Sequence, residues 1–229
     1  MIPLYHDFTG ETVLVIGGGS VGTRKASRFA DEARVVVVSP AFDDLLIDLA
    51  ADDGDAAGPG VDLVRAAPDA EAVRDWIERL APVLVVAATD DGAVNAAAEA
   101  AALDAGVLVN RADRSTAERS ADRDARSAVV PATVEDDPVS VAVSTGGASP
   151  ALAKALRERV ETEIEGAGAM AELSGDLRTE LKDRGVPAET RREAIRRVVR
   201  SEGVWKALQK GRSYGRNEAD SVIEEVLTR

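Results

Sequence analysis

The 229-residue chain contains no cysteine and a single histidine, His6. Without thiols, disulfides, iron–sulfur clusters and thiolate nucleophiles are excluded. One imidazole excludes a multi-histidine metal centre, so no metal site is expected. No run of about 18 apolar residues occurs, so no transmembrane helix and no membrane partner are expected. The first eight residues lack a basic stretch followed by an apolar one, which predicts no secretory leader and a cytoplasmic location. Lysine is scarce, occurring only at Lys25, Lys154, Lys182, Lys206 and Lys210. The formal net charge is −13. Such a field repels polyanions, and no nucleic-acid partner is expected. An acid-rich, lysine-poor balance suits halophilic cytoplasm, where salt screens the self-repulsion.

What is present is an alternation of strand and helix signals. Thr12–Ile16, Val35–Val38, Val61–Val64, Val83–Ala87 and Val107–Val109 are short, β-branched apolar runs. Continuous runs of that length predict strands buried on both faces. Helical stretches lie between them at 22–31, 43–51, 69–80 and 93–105. This order predicts an α/β class: a Rossmann-like, doubly wound parallel sheet over 1–112. Residues 52–60 read as a loop from their Gly, Pro and Asp content. Arg111–Arg126 reads as a charged surface excursion. Two β segments, 127–134 and 139–144, then fall in a segment, 113–148, expected to pair with a second subunit. From Ser149 the chain is predicted helical to 229, with Ser149 as N-cap and Pro150 in the first turn. Glycines and Pro187 punctuate it at Gly166/Gly168, 185–187, Gly203 and 211–215.

Gly17-Gly18-Gly19-Ser20-Val21-Gly22 satisfies the G-x-G-x-x-G spacing directly after the first strand and at the start of a helix. In that context Gly17 permits the tight turn, Gly19 admits a pyrophosphate to the backbone, and Gly22 lets helix and strand pack closely. The amides of Ser20 and Val21 are then available to phosphate. The acidic residue that usually holds the ribose after the second strand is replaced by Ser39-Pro40-Ala41. No arginine adjoins it in sequence, so NAD and NADP stay open from the residues alone. Thr89, after the fourth strand, is a cofactor candidate. Asp90 is a second, or a cap for the following helix.

Several stretches together resemble the precorrin-2 dehydrogenase (siroheme synthase N-terminal) family. They are Pro3-Leu4, 15–22 and 24–26; Val38-Ser39-Pro40, where the family also lacks the ribose acid; 87–91 with Asn95; Asn110-Arg111-Ala112-Asp113, similar to its Asn-x-x-Asp; Pro131-Ala132; and 143–150 with Leu152-Ala153, similar to its Ser-Thr-Gly-Gly-x-Ser-Pro. The matches run in family order over residues 1 to about 160. The resemblance implies NAD as oxidant, dehydrogenation of precorrin-2 to sirohydrochlorin, and in some members insertion of ferrous iron. It implies a homodimer built on the central β segment, with Asp113 as the essential aspartate. The methyltransferase domain fused to some relatives is not expected here. The chain departs from the family at 114–130, which is longer and more charged, and it lacks the aromatic before Pro131.

A carboxylate at Asp113 can accept a proton or stabilise the cation left by hydride loss. Composition alone would instead make it a solvated loop acid. Asn110 and the glycine-rich helix start Thr145-Gly146-Gly147-Ala148-Ser149 are candidates for binding a polycarboxylate substrate through side-chain and backbone donors; the alternative for the latter is a turn that positions the helix. Arg111, Arg114, Arg119, Arg123 and Arg126 either pair with substrate carboxylates or form a solvated face. His6 reads as structural or exposed rather than as an iron ligand, and Trp76 and Trp205 read as packing residues. A different class of function also fits the glycine loop, namely a dinucleotide-sensing module of an ion-transport system. That module would need no base at Asp113.

Overall fold

The computed structural model describes residues 3–51, 58–114 and 124–228. The chain divides into two compact units, 1–130 and 131–229.

In the first unit, strands β1 (Thr12–Ile16), β2 (Arg34–Ser39), β3 (Gly60–Arg65), β4 (Leu84–Ala87) and β5 (Leu108–Arg111) form one sheet in the order β3-β2-β1-β4-β5. Every pairing is parallel. The connecting helices are α1 (Ser20–Ala26), α2 (Asp44–Ala51), α3 (Ala70–Leu80) and α4 (Gly92–Asp104). The four valines of β2 show why the sheet is doubly covered. Val35 and Val37 enter one core cluster with Ala26 and Leu46, while Val36 and Val38 enter the other with Val73, Ile77 and Ala98. Alternate side chains of a strand point to opposite faces, so an unbroken valine run requires helices on both sides. Burying each contributes roughly 1.5–3 kcal/mol. Trp76 packs against the second cluster.

Helix α1 is shorter than the expected 22–31. After Ala26 the backbone tightens into i→i+3 turns, with Phe29 N–H on Ala26 O and Glu32 N–H on Phe29 O. These bring Phe29 edge-on to Phe8, with ring centroids 5.0 Å apart. Helix α3 is capped by Asp69, whose carboxylate accepts from the amides of Glu71 and Ala72.

The expected β segment 127–134 is two features. Ser127 bridges Val109 in parallel, and Ala128 N–H reaches Val109 O at 2.8 Å, so this stretch returns to the β5 edge. The true strand β6 (Ala132–Asp136) begins after Pro131, which lacks the N–H a ladder needs. It pairs antiparallel with β7 (Val139–Val143) in the second unit.

Five helices follow: α5 (Pro150–Glu163), α6 (Ala167–Asp183), α7 (Ala188–Arg200), α8 (Glu202–Leu208) and α9 (Arg212–Leu227). Ser149 caps α5 as the sequence predicts, its Oγ accepting from Leu152 N–H at 3.2 Å. Met170, Leu173, Leu177 and Leu181 of α6 form a core with Ala194, Val198, Val204, Ala219 and Ile223. Trp205 packs against that core and donates Nε1–H to Val199 O. Three glycines read as punctuation lie inside helices instead. Gly168 and Gly215 are there for close approach: a Cβ on Gly168 would stand 2.1 Å from Asp137 O, and one on Gly215 2.4 Å from a Leu208 methyl. Gly203 sits in α8, and the break before that helix is made by Ser201, which caps it.

Candidate active site

All five parallel strands end on one edge of the sheet. The loops after β1 and β4 leave it where the strand order reverses, the position at which open α/β sheets bind ligands. The β1 loop is shaped by what glycine lacks. Gly17 has φ +114°, and a Cβ there would stand 2.4 Å from Ala88 O at the end of β4. A Cβ on Gly22 would stand 2.0 Å from Gly17 O. Gly18 is equally confined, a requirement the motif spacing does not reveal. Its Cβ would meet Ala41 O at 2.6 Å, and its carbonyl accepts from Asp43 N–H.

Gly19 is different. Among the described residues nothing lies within 4 Å of a Cβ placed there. It is the N-cap of α1 without a side-chain cap, and Ser20 and Val21 beyond it are exposed. The first-turn amides of a helix have no partner within it. The open face above Gly19, beside uncapped amides, therefore fits a pyrophosphate. Thr23 Oγ1–H closes the turn from below on Gly19 O at 3.1 Å.

At the end of β2, Ser39 is buried, whereas Pro40 and Ala41 are exposed. The sequence places no arginine beside them, but the fold does. Arg65 ends β3 in register with Ser39. Its Nη1 donates to Pro40 O at 3.0 Å, and its guanidinium lies 5.1 Å from the Phe42 ring centroid.

After β4, Thr89 is locked by Asn95 of α4. Asn95 Oδ1 accepts from Thr89 N–H at 3.1 Å and from its hydroxyl at 2.8 Å, while Asn95 Nδ2 donates to Thr89 O at 2.8 Å. Asn95 is fully buried. The helix cap is Asp91, accepting from Ala93 and Val94 amides, and not Asp90. One residue decides this because only Asp91 directly precedes the first helical residue.

After β5, Asp113 is not a free loop acid. Arg111 Nε donates to its Oδ1 at 2.9 Å, and Arg111 Nη2 donates to its Oδ2. Arg111 Nη1 reaches Glu99 Oε2 of α4 at 3.1 Å. Arg111 is a buried strand residue, 4% exposed, rather than part of a surface excursion. Its guanidinium holds the Asp113 carboxyl below the usual carboxylate range against an opposing burial effect, and Asn95 adds a smaller lowering contribution. The same bonds raise Arg111 further above its already high value. Asn110 is buried, with Nδ2 donating to Ala128 O at 2.8 Å. Its Oδ1 has no hydrogen-bond partner among the described residues.

Of the other arginines proposed for substrate carboxylates, Arg114 faces Glu99 at 3.5 Å and Arg126 faces Asp124 at 3.8 Å. Arg119 and Arg123 lie outside the described residues. His6 is exposed against the Phe8 ring.

In the second unit, Thr145 and Ser149 bind each other. Thr145 Oγ1–H donates to Ser149 O at 3.1 Å, and Ser149 N–H returns to Thr145 Oγ1 at 3.3 Å. Gly146 and Gly147 have φ +62° and +83° and are exposed between them. The Thr145 hydroxyl thus shapes the turn while the Ser149 hydroxyl caps α5, and the backbone at Gly146-Gly147-Ala148 is what faces outward.

The NAD(P)-binding family model matches residues 4–132, and the model of the sirohaem biosynthesis protein central region matches 136–163. Siroheme synthase of Stutzerimonas stutzeri (strain A1501) is 35% identical over 99% of this chain and 44% of its own length. Siroheme synthase 1 of Aeromonas salmonicida (strain A449) is 33% identical over 98% of this chain and 44% of its own. The chain thus spans less than half the length of these relatives. A solved structure of SirC, precorrin-2 dehydrogenase, shares the fold over 100% of both chains, with TM-score 0.65 and 21% identity.

Proposed function

This chain belongs to the NAD(P)-binding family, and we propose that it is an NAD-dependent dehydrogenase that oxidises precorrin-2 to sirohydrochlorin on the route to siroheme. The observation that carries the reading is the ionised Asp113 at the end of β5, on the same sheet edge as the open Gly19 cradle. The intervening strand, β4, presents the Asn95-locked Thr89. The dinucleotide supplies an acceptor for hydride. Precorrin-2 loses one hydride and one proton, giving sirohydrochlorin, NADH and a proton.

The residues divide the task. Gly19, Ser20 and Val21 hold the pyrophosphate on a loop that Gly17 and Gly22 shape, and Ser39, Pro40 and Ala41 hold the adenosine ribose. Thr89 and Asp90 border the nicotinamide. Asn110 and the Thr145-Gly146-Gly147-Ser149 turn bind substrate carboxylates or ring nitrogens. Asp113 faces the positive charge that develops as hydride leaves. Residues 1–112 carry the dinucleotide, 113–148 the active-site and dimerisation segment, and 149–229 the helical domain. The working form is a cytoplasmic homodimer in high salt, and insertion of ferrous iron, an activity of some members of the resembled family, is put to a separate test below. Relatives that are siroheme synthases, and the sirohaem central match over 136–163, support this reading over an ion-transport sensor.

The test is anaerobic turnover of precorrin-2 with NAD in molar KCl, followed by sirohydrochlorin absorbance. NAD-dependent turnover, lost in Asp113→Asn with NAD affinity retained, is expected. No turnover by folded, NAD-binding protein would overturn the assignment. Ferrous or cobaltous ion added afterwards tests metal insertion.

A further inference from the structure

Arg111 occupies the second place of the Asn-x-x-Asp segment, within the last turn of chain before the proposed catalytic carboxylate. Arg111, the last residue of β5, projects to the same side of the sheet as Val109, and Asp113 meets it from the bend just beyond the strand. That side is covered by α4, which brings Glu99 to the remaining guanidinium nitrogen. The result is a fork on both oxygens of Asp113, with the fork itself tethered from behind. Arginine at 4% exposure is costly unless its charge is met, and here two carboxylates meet it. Arg114 faces the outer side of Glu99 at 3.5 Å. Among the described residues the charged groups around Asp113 are therefore Arg111, Glu99 and Arg114, two positive and two negative with Asp113 included.

We propose that Arg111 is a positioning residue for the dehydrogenation: its guanidinium fixes the plane of the Asp113 carboxylate, and Glu99 anchors the guanidinium. This rests on the assignment of Asp113 to the reaction. A bidentate pair fixes direction as well as charge. A carboxylate has about four lone-pair sites, and with Arg111 on one side of each oxygen and Asn95 nearby the direction left to substrate is set in advance. Because the clamp also lowers basicity, Asp113 acts as a fixed anion opposite the developing cation. Lysine could supply the charge at position 111 but not the planar fork.

The experiment compares wild type, Arg111→Met, Arg111→Lys and Asp113→Asn for NAD affinity, kcat, KM for precorrin-2 and the acid limb of kcat against pH. In Arg111→Met, kcat should fall at least tenfold, and the acid limb should move up by about one pH unit or more, the scale of an opposite charge removed from a carboxylate. KM and NAD affinity should stay within about threefold, roughly 0.65 kcal/mol by the tenfold-per-1.4 relation. Arg111→Lys should leave the limb near its wild-type position while kcat stays reduced, separating charge from orientation. Where Arg111→Met fails to fold, Glu99→Gln/Arg111→Met removes the stranded partner charge and takes its place.

Wild-type kcat and limb in Arg111→Met, or a loss confined to KM, would overturn the positioning role while leaving Asp113 in the reaction. Full turnover by Asp113→Asn would instead remove Asp113 itself. A carbon-13 NMR titration of the Asp113 carboxyl in the wild type needs no variant to fold except for its assignment. A value at or above the ordinary aspartate range would refute the clamp.

Discussion

Gly22 of α1 and Gly17 at the end of β1 approach so closely that a Cβ on Gly22 would lie 2.0 Å from the Gly17 carbonyl oxygen. Gly19, midway between them, faces open space. The two positions therefore answer differently to the same substitution. Gly22→Ala should destabilise the first unit by about 1–3 kcal/mol, the usual cost of overpacking. Gly19→Ala, at φ −78°, should leave the melting temperature unchanged and weaken NAD binding about tenfold or more, or roughly 1.4 kcal/mol. Thermal melts and dinucleotide titration of both variants check this. Equal loss of stability in the two would contradict an open cradle at Gly19.

The Arg111–Asp113 pair also makes stability depend on pH. The folded Asp113 carboxyl is held below its unfolded value, chiefly by the Arg111 hydrogen bonds. A depressed carboxylate contributes stability above its unfolded value, and that contribution is lost as pH falls through the folded one. Asp113→Asn should accordingly unfold at higher pH than wild type on acid titration, with the two curves converging in strong acid. Circular dichroism at fixed ionic strength measures both midpoints.

Arg65 bears on the choice of dinucleotide. It stands beside Ser39 and Pro40, at the strand end where an acid would repel a 2′-phosphate and the sequence has Ser39-Pro40-Ala41. An arginine near this strand end accommodates that phosphate. NADP should therefore bind the wild type measurably. Arg65→Glu should weaken NADP about tenfold or more while changing NAD by less than about threefold. Paired fluorescence titrations decide it; equal effects on both dinucleotides would place Arg65 outside the ribose site.

Salt provides another test. Exposed ion pairs such as Lys206–Glu202 and Arg192–Glu189 contribute little individually, and a net charge of −13 is self-repelling at low ionic strength. Molar KCl should raise the melting temperature and restore activity lost on dialysis. A melting temperature indifferent to KCl would contradict adaptation to high salt.

The Rossmann-like sheet was legible because its evidence is local. TVLVI followed by glycines, and four valines in a row in β2, carry their own burial pattern. The phosphate loop was legible for the same reason, except that Gly18 looked like a spacer. What could not be read depends on residues distant in sequence. Arg65 meets Pro40 only because β3 lies beside β2. Arg111 looks like the first residue of a charged stretch until α4 supplies Glu99. Asn95 is marked only by the family resemblance, and its bonds to Thr89 appear once α4 folds back on the end of β4. Asp90 and Asp91 are equivalent as letters, and the backbone alone selects the cap. Gly168 resembled a helix break because sequence does not show the Asp136 and Asp137 carbonyls packed against it.

The return of Ser127 and Ala128 to Val109 and Asn110 gives the charged stretch after β5 two fixed ends. Closing a longer loop between anchored ends costs only about 0.6 kcal/mol per doubling of its length. The edge strand β5 is therefore held by contacts that Arg126, Ser127 and Ala128 make for themselves, and these are where a protein engineer who alters the chain beyond Arg114 must leave the sequence intact.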